Sequence, residues 1–179
     1  AYNIEGLKML YMASDCLSED AEAVLSAIEN CDPLNDFVRF ERYWADPDEK
    51  NRTAFQSLIR NEMAVQNYLE LAIWYYSIGQ VGRAEKVLSM SPGDAETAYW
   101  RAYLSQDREL LEKADVSDVS FVFPFREESV PVFEWAMKES GNWRSAYLLA
   151  LVHYSRNNDA EALELLRKQG REPDFAPFY

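Results

Sequence analysis

Apolar residues recur along this chain at spacings of three and four positions, which is the period of an amphipathic helix. Pro, Gly, Asp and Asn interrupt the pattern and predict helix ends at Asp32-Pro33, Asp46-Pro47-Asp48, Ser91-Pro92-Gly93-Asp94, Ser140-Gly141-Asn142 and Gly170. The pattern predicts about eleven helices, near residues 3–14, 18–30, 35–44, 48–60, 63–78, 80–90, 95–105, 108–114, 127–139, 143–156 and 159–169. The sequence therefore predicts an all-α fold.

Two stretches, Asn67 to Leu88 and Ser145 to Leu166, share one spacing of large and small residues. The first stretch contains Tyr68, Leu71, Ala72, Tyr75, Gly79, Val81, Ala84 and Leu88. The second supplies at the same offsets Ala146, Leu149, Ala150, His153, Asn157, Ala162 and Leu166. The paired alanines suit a close crossing of two helices, and Gly79 and Asn157 fall where the first helix of each pair must end. The short turns predict antiparallel helix pairs.

This spacing resembles the tetratricopeptide repeat, a helix-turn-helix unit of about 34 residues. A partial third copy comprises Ala21, Leu25, Ile28 and Pro33, and a degraded fourth copy extends from Asp94 to Ala114 with Ala102 at its small position. The resemblance implies a right-handed superhelix of antiparallel helix pairs, forming a single repeat domain over residues 1–179. We expect it to be a fragment of a longer protein, because neither end carries the polar cap of a terminal repeat. The alternative is a generic helical bundle with accidental matches.

A closer resemblance rests on Asp32-Pro33-Leu34-Asn35, Arg39-Phe40-Glu41, the stretch from Tyr68 to Tyr76, and Phe123-Pro124-Phe125-Arg126. Together these resemble the tetratricopeptide-repeat region of large multidomain proteins of Bacteroidota that carry an N-terminal domain of unknown function. The resemblance covers most of residues 20–179. It implies a carbohydrate-related setting for the whole protein, since the N-terminal region of that family is similar to β-sandwich domains of carbohydrate-active proteins. It places no catalytic residue in this chain.

In tetratricopeptide arrays the inner face of each first helix lines a concave groove. The positions aligned with that face are Gln66, Leu69, Ile73, Tyr76, Ser77, Arg144, Tyr147, Leu151, Tyr154 and Ser155. An apolar surface with hydroxyl tips suits an extended peptide or an amphipathic helix. The alternative is that these residues pack on one another.

The expected function is that of a non-catalytic protein–protein interaction scaffold, whose partner is a protein, a peptide or another domain of its own full-length chain. The main alternative is a structural arm that positions a carbohydrate-active domain absent from this chain, and an intrinsically catalytic all-α domain is the third. The sequence leaves the compartment open between bacterial cytoplasm and periplasm.

Charge and composition limit the classes of partner that we expect. The formal net charge is −13, and no cluster of Lys and Arg offers a phosphate-binding surface, so nucleic acid is not expected as a partner. No apolar run approaches the roughly 20 residues of a membrane span, so a membrane is not expected either. With one histidine and two cysteines at unsuitable spacing, no metal and no cofactor are expected.

Candidate chemistry in the sequence favours packing over catalysis. His153 falls at a position usually held by a large aromatic, so we expect it in a helix contact. Glycoside hydrolysis needs two opposed carboxylates, commonly beside aromatic residues, and the candidates are Glu70 near Trp74 and Glu134 near Trp135. Neighbouring helix positions point in different directions, however, so we do not expect catalysis there.

Two local features carry predictions of their own. Cys16 and Cys31 are expected at opposite ends of a helix pair about 20 Å long, too far apart for a disulfide. The segment from Val119 to Arg126 resembles a strand without a partner strand, so we expect an extended connector whose Phe121, Phe123 and Phe125 plug gaps between helices. The alternative is an aromatic docking loop.

Overall fold

The computed structural model describes residues 3–14, 19–60 and 62–179. Within these ranges it contains eleven α-helices and no strand, which confirms the all-α class. The helices are α1 Ile4–Ala13, α2 Glu19–Cys31, α3 Asp36–Ala45, α4 Glu49–Gln56, α5 Ala64–Ser77, α6 Val81–Ser89, α7 Ala95–Ser105, α8 Arg108–Ala114, α9 Val130–Ser140, α10 Trp143–Ser155 and α11 Asp159–Gln169. The chain divides into two compact units, Ala1–Leu71 and Ala72–Tyr179, and the division falls within α5.

The first unit has a core built on aromatic contacts between helices. Tyr11 of α1 meets Phe37 of α3 edge to face, with ring centroids 5.6 Å apart. Phe55 of α4 contacts Phe40 of α3 at 5.4 Å and Tyr68 of α5 at 5.5 Å. All five rings are buried. Edge-to-face pairs add about 0.5–1.5 kcal/mol each beyond the burial of their apolar surface, so these contacts specify how the helices meet.

A partly exposed ion pair links α2 to α3 in the same unit. The guanidinium of Arg42 donates to both carboxylate oxygens of Glu29, each at 3.0 Å, and to Glu22 at 2.9 Å. The hydrogen bond from Arg42 is the largest influence on Glu29 and lowers the pKa of its carboxyl. The pair fixes the side-by-side register of the two helices.

In the second unit consecutive helices pack on one another: α6 on α7, α7 on α8, α9 on α10 and α10 on α11. The helix α7 also packs on α9, where Tyr99 meets Phe133 edge to face at 5.7 Å. Tyr99 donates a buried hydrogen bond of 2.8 Å to Asp115, and burial raises the pKa of this tyrosine. The α7 helix is therefore the central contact of this unit.

The helices α5, α7 and α10 each end in a turn of the same type. In α5 the Gln80 N–H donates to Tyr75 O at 2.8 Å, and in α10 the Asn158 N–H donates to His153 O at 2.9 Å. Gly79 and Asn157, which precede these donors, have φ of 77° and 62°. The end of α7 has the same pattern around Gln106, with φ 53° and a bond of 3.2 Å from Asp107 N to Ala102 O. This is the Schellman arrangement, in which a left-handed residue lets the last carbonyls find donors.

The buried positions agree with the repeat spacing. Ala72, Ala84, Ala150 and Ala162 are all buried, as are Ala21, Leu25 and Ile28 of the partial copy and Ala102 of the degraded one.

The start of α7 has the predicted cap, since Asp94 accepts from Thr97 N at 2.8 Å and Asp94 N donates to Thr97 Oγ1 at 2.9 Å.

Two predicted helix boundaries were wrong by several residues. The α4 helix ends at Gln56 rather than near residue 60, because the chain turns there and buries Ile59. The α9 helix begins at Val130, after a 3₁₀ turn over Glu127–Ser129. Pro131 has no N–H and suits only the first turn of a helix, which accounts for the late start.

The predicted role of the three phenylalanines in the connector was wrong. The segment is not a strand, and it is extended only after a turn in which Val122 N donates to Val119 O at 3.3 Å and Phe121 has a φ of 59°. Phe121, Phe123 and Phe125 are exposed, and Val122 and Pro124 are buried instead. An extended chain places alternate residues on opposite sides, so only one of the two sets can face the helices. Here the smaller residues do so.

Candidate functional site

The ten residues of the predicted groove fall into three groups. Gln66 and Leu69 lie on the part of α5 within the first unit, and Leu69 is fully buried. Arg144 and Ser155 bond to backbone carbonyls: Arg144 Nη1 donates to Asp115 O, 29 positions earlier, at 2.9 Å, and Ser155 Oγ donates to Val152 O at 2.8 Å. The other six line two cavities of the second unit, three in each: Ile73, Tyr76 and Ser77, and Tyr147, Leu151 and Tyr154.

The first cavity, which we call the acidic cavity, has a volume of about 400 Å³. Ile73, Tyr76 and Ser77 on the last turns of α5 form one wall. The opposite wall comes from the start of α9 and the 3₁₀ turn before it. The lining residues are Ile73, Tyr76, Ser77, Glu127, Glu128 and Pro131. The cavity thus combines an apolar floor with two carboxylates at its rim.

A buried hydrogen-bond chain holds the acidic wall in place. Trp100 Nε1 on α7 donates to Ser129 Oγ at 3.0 Å, and Ser129 Oγ donates to Glu96 Oε1 at 2.8 Å. All three side chains are fully buried. Since Ser129 directly follows Glu128, these bonds fix the backbone that carries the carboxylate.

The tyrosine wall is held by the same helix. The ring of Tyr76 meets Trp100 edge to face at 5.6 Å, and its hydroxyl lies 3.2 Å from that of Tyr103. The hydrogen bond with Tyr76, together with partial burial, raises the pKa of Tyr103 to about 12. Tyr103 thus holds the hydroxyl of Tyr76 from the side of α7.

One of the two rim carboxylates has a cationic partner. Arg156, which follows α10, places Nη2 2.6 Å from Oε2 of Glu127. Glu128 lies exposed beside this pair. Of the two glutamates that line the cavity, one is therefore paired with a guanidinium and the other is exposed to solvent.

The second cavity, which we call the apolar cavity, lies between α10 and α11 and has a volume of about 320 Å³. Its lining is apolar except for one carboxylate and the hydroxyls of two tyrosines. The residues are Tyr147, Ala150, Leu151, Tyr154, Asp159, Ala162, Leu163 and Leu166.

The C-terminal residues cover one edge of this region. Phe175 stacks on Trp143 at 6.1 Å and meets Tyr147 at 5.4 Å, and Phe178 contacts both rings at 6.0 and 5.9 Å. These contacts lie on the first turns of α10. Tyr154, nearer the end of the helix, is 68% exposed.

The residues considered for catalysis are not gathered in either cavity. His153 is half-buried on α10, and the carboxylates of Glu70 and Glu134 are exposed on α5 and α9. In the described ranges no three His, Cys, Asp or Glu side chains are grouped closely enough to hold a metal ion. Cys31 is exposed at the end of α2, and the predicted separation from Cys16 lies outside the described residues.

Glu127, Glu128 and Pro131, which complete the acidic cavity, were not among the predicted groove residues. They lie about 50 positions beyond α5 in the sequence, and no local pattern pairs the two segments. The sequence predicted both glutamates inside a helix near residues 127–139, and nothing in that prediction placed them near Tyr76.

The chain matches no family model, no curated protein and no solved structure. Among the described residues no helix combines the length and the apolar character needed to cross a membrane. The site must therefore be interpreted from its own geometry.

Proposed function

We propose that this chain is a non-catalytic interaction scaffold of the tetratricopeptide type, which binds a peptide or protein segment in the acidic cavity. The observation that carries the proposal is the cavity itself. It brings three groove residues of α5 together with Glu127, Glu128 and Pro131 around a space of about 400 Å³. Ligand pockets commonly span about 300–1,000 Å³, so this space accepts one or a few side chains.

The lining favours a basic residue next to an apolar one. Ile73 and Pro131 offer apolar surface, and the ring of Tyr76 adds contact area at low cost in conformational entropy. Glu128 favours Lys or Arg at the rim, where the net charge of the chain, −13, also steers cationic partners. The proposed ligand is therefore a basic, partly apolar peptide segment.

The walls are organised before a ligand arrives. Trp100 contacts Tyr76 on one side and bonds to Ser129 on the other, so both walls depend on one buried residue. A site held in its binding geometry loses less entropy when it binds. This supports a binding role over simple packing of surface residues.

The test is a selection from a random peptide library displayed on phage, followed by affinity measurements by calorimetry. We expect enrichment of peptides with Lys or Arg beside an aliphatic or aromatic residue. Replacing Glu128 by Lys should weaken these peptides by about tenfold, and binding of the wild type should fall with added salt.

The matched control is Glu112→Lys, which makes the same charge change at an exposed position of α8. It should leave binding within about twofold of the wild type, apart from weak long-range effects. Peptides that bind wild type and Glu128→Lys equally, or a selection with no enriched class, would overturn the proposal. Either result would favour the alternative of a structural arm.

A further inference from the structure

The helix pair α10–α11 repeats the pair α5–α6 at an offset of 78 residues. The turns match bond for bond: Gly79 N to Tyr76 O and Asn157 N to Tyr154 O are both 3.0 Å, and Ala84 N to Gln80 O and Ala162 N to Asn158 O are both 3.1 Å. Because the turns match, each position of one helix pair has an equivalent position in the other. The two pairs differ in what packs against their apolar faces.

In the earlier copy, α5–α6, the helix α7 packs against the apolar face. Trp100 and Tyr103 of α7 contact Tyr76 with centroids 5.6 and 6.1 Å away, and α7 also packs on α6. Leu88, near the end of α6, is fully buried. An amphipathic helix with two aromatic residues three positions apart thus completes this copy.

The corresponding positions of the later copy are more open. Tyr154 aligns with Tyr76 and is 68% exposed, and Leu166 aligns with the buried Leu88 but is only half-buried. The C-terminal residues contact Trp143 and Tyr147, which lie at the other end of α10. The apolar cavity of about 320 Å³ is therefore open where α7 lies in the earlier copy.

One substitution between the copies makes the open face more apolar. Position 85 of the first copy is Glu, whereas the aligned position 163 of the second is Leu, and this leucine is 48% exposed. An exposed Leu beside an open apolar cavity is typical of a surface that is buried in a complex.

We propose that this face of α10 and α11 docks an amphipathic helix of a partner protein, which inserts two aromatic side chains spaced as Trp100 and Tyr103 are in α7. Asp159 lines the cavity, and the chain carries a net charge of −13, so the polar side of the docking helix is basic. The surface is distinct from the acidic cavity, since no residue lines both.

The probe is a lactam-bridged helical peptide with the sequence of α7, in which Lys replaces Glu96. Titrating it into ¹⁵N-labelled protein should produce saturable shifts at the amides of Leu151, Tyr154 and Leu163. A peptide with Ser in place of both Trp100 and Tyr103 should shift them much less. The bridge keeps the peptide helical, so weak binding cannot be attributed to the cost of folding it.

Leu166→Glu should weaken the peptide by about tenfold, because it places a charge in the cavity that receives the aromatic pair, at the position of the buried Leu88 of the earlier copy. Leu58→Glu is the matched control, since Leu58 is 54% exposed on the first unit, and it should leave binding unchanged. Thermal unfolding of both variants checks that each is folded. Glu128→Lys should leave this titration unaltered, so failure here and failure of the acidic cavity are separate results.

The proposal is overturned if millimolar probe shifts no amide of α10 or α11. It is also overturned if the serine peptide binds as well as the aromatic one, or if Leu166→Glu and Leu58→Glu behave alike.

Discussion

Trp100 and Ser129 lie 29 positions apart in the sequence, and a buried hydrogen bond of 3.0 Å joins the indole N–H of the first to the hydroxyl of the second. This bond ties α7 to the 3₁₀ turn that carries Glu127 and Glu128. Because Trp100 also contacts Tyr76, this one residue joins the tyrosine wall to the acidic wall of the cavity.

Replacing Ser129 by Ala should therefore lower the free energy of unfolding by about 1–3 kcal/mol, the usual cost of removing a buried hydrogen-bond partner. The change removes the acceptor of the Trp100 N–H and a donor to Glu96. Urea unfolding measures the loss. Ser89→Ala is the control, since Ser89 is exposed and its hydroxyl donates to Lys86 O within its own helix, and it should cost less than about 0.5 kcal/mol. Equal costs would mean that the buried hydrogen bonds of Ser129 do not stabilise the fold.

The small residues of the repeat offer a second prediction. Ala84 is fully buried, so Ala84→Leu should destabilise the protein by about 1–3 kcal/mol through overpacking. Ala162, the aligned residue, borders the apolar cavity of about 320 Å³, and its replacement by Leu should cost clearly less. Thermal and urea unfolding of the two variants give the comparison. Similar costs would indicate that the two copies are packed alike.

The pair of Glu29 and Arg42 predicts a dependence of stability on pH. The pKa of Glu29 is lower in the folded protein than in the unfolded chain, so its stabilisation is present above the unfolded pKa and is lost as the pH falls through the folded pKa. Glu29→Gln should thus lower stability at pH 7 and make no difference in strong acid. The side chains are 42% and 32% exposed, so the effect should stay below about 1 kcal/mol.

Urea unfolding of wild type and Glu29→Gln across this pH range tests the pair. Glu164→Gln is a useful control, because Glu164 also pairs with a cation, Lys168, and has a lowered pKa but is fully exposed. Its effect should be smaller. A stability difference for Glu29→Gln that persists unchanged in acid would contradict the assignment.

How much of this could be read from the sequence differs between the helices and the site. The helix ends are local features, and residues such as Asp94 and Gly79 have the predicted caps because capping depends on neighbours within four positions. Gln106 ends α7 in the same left-handed conformation, but glutamine has no special preference for it, so this turn could not be predicted from the residue type.

The acidic cavity depends on a contact between α5 and residues about 50 positions later. The repeat alignment placed Tyr76 on the inner face of α5, and Tyr76 is one of the residues that line this cavity. The alignment does not determine which distant segment lies opposite. Buried hydrogen bonds, such as that between Ser129 and Glu96, help to determine which segment lies opposite. The partners in these bonds cannot be identified before the fold is known.

The connector supplies the last prediction. Phe121 has a φ of 59° and is 91% exposed, so it combines an unfavourable backbone conformation with little contact. Phe121→Gly should raise the free energy of unfolding by about 1 kcal/mol, because relief of the strain exceeds the entropy that glycine adds to the unfolded chain.

Phe123→Gly is the control for this change. Phe123 is also exposed but is not among the residues of positive φ, so glycine there should destabilise the protein slightly. Thermal unfolding of both variants measures the difference. A loss of stability in Phe121→Gly would show that the ring makes contacts worth more than the strain.

The tight turns between paired helices also bear on how the chain folds. The segment Arg156–Asn158 alone separates α10 from α11, and closing so short a loop costs little chain entropy. Chains rich in such local contacts fold in about microseconds to milliseconds. The pairs α1–α2, α3–α4, α7–α8 and α10–α11 are each adjacent in sequence and in contact, so folding has several possible starting points. A ribosome-bound chain would be able to form its early helix pairs while later ones are still being made.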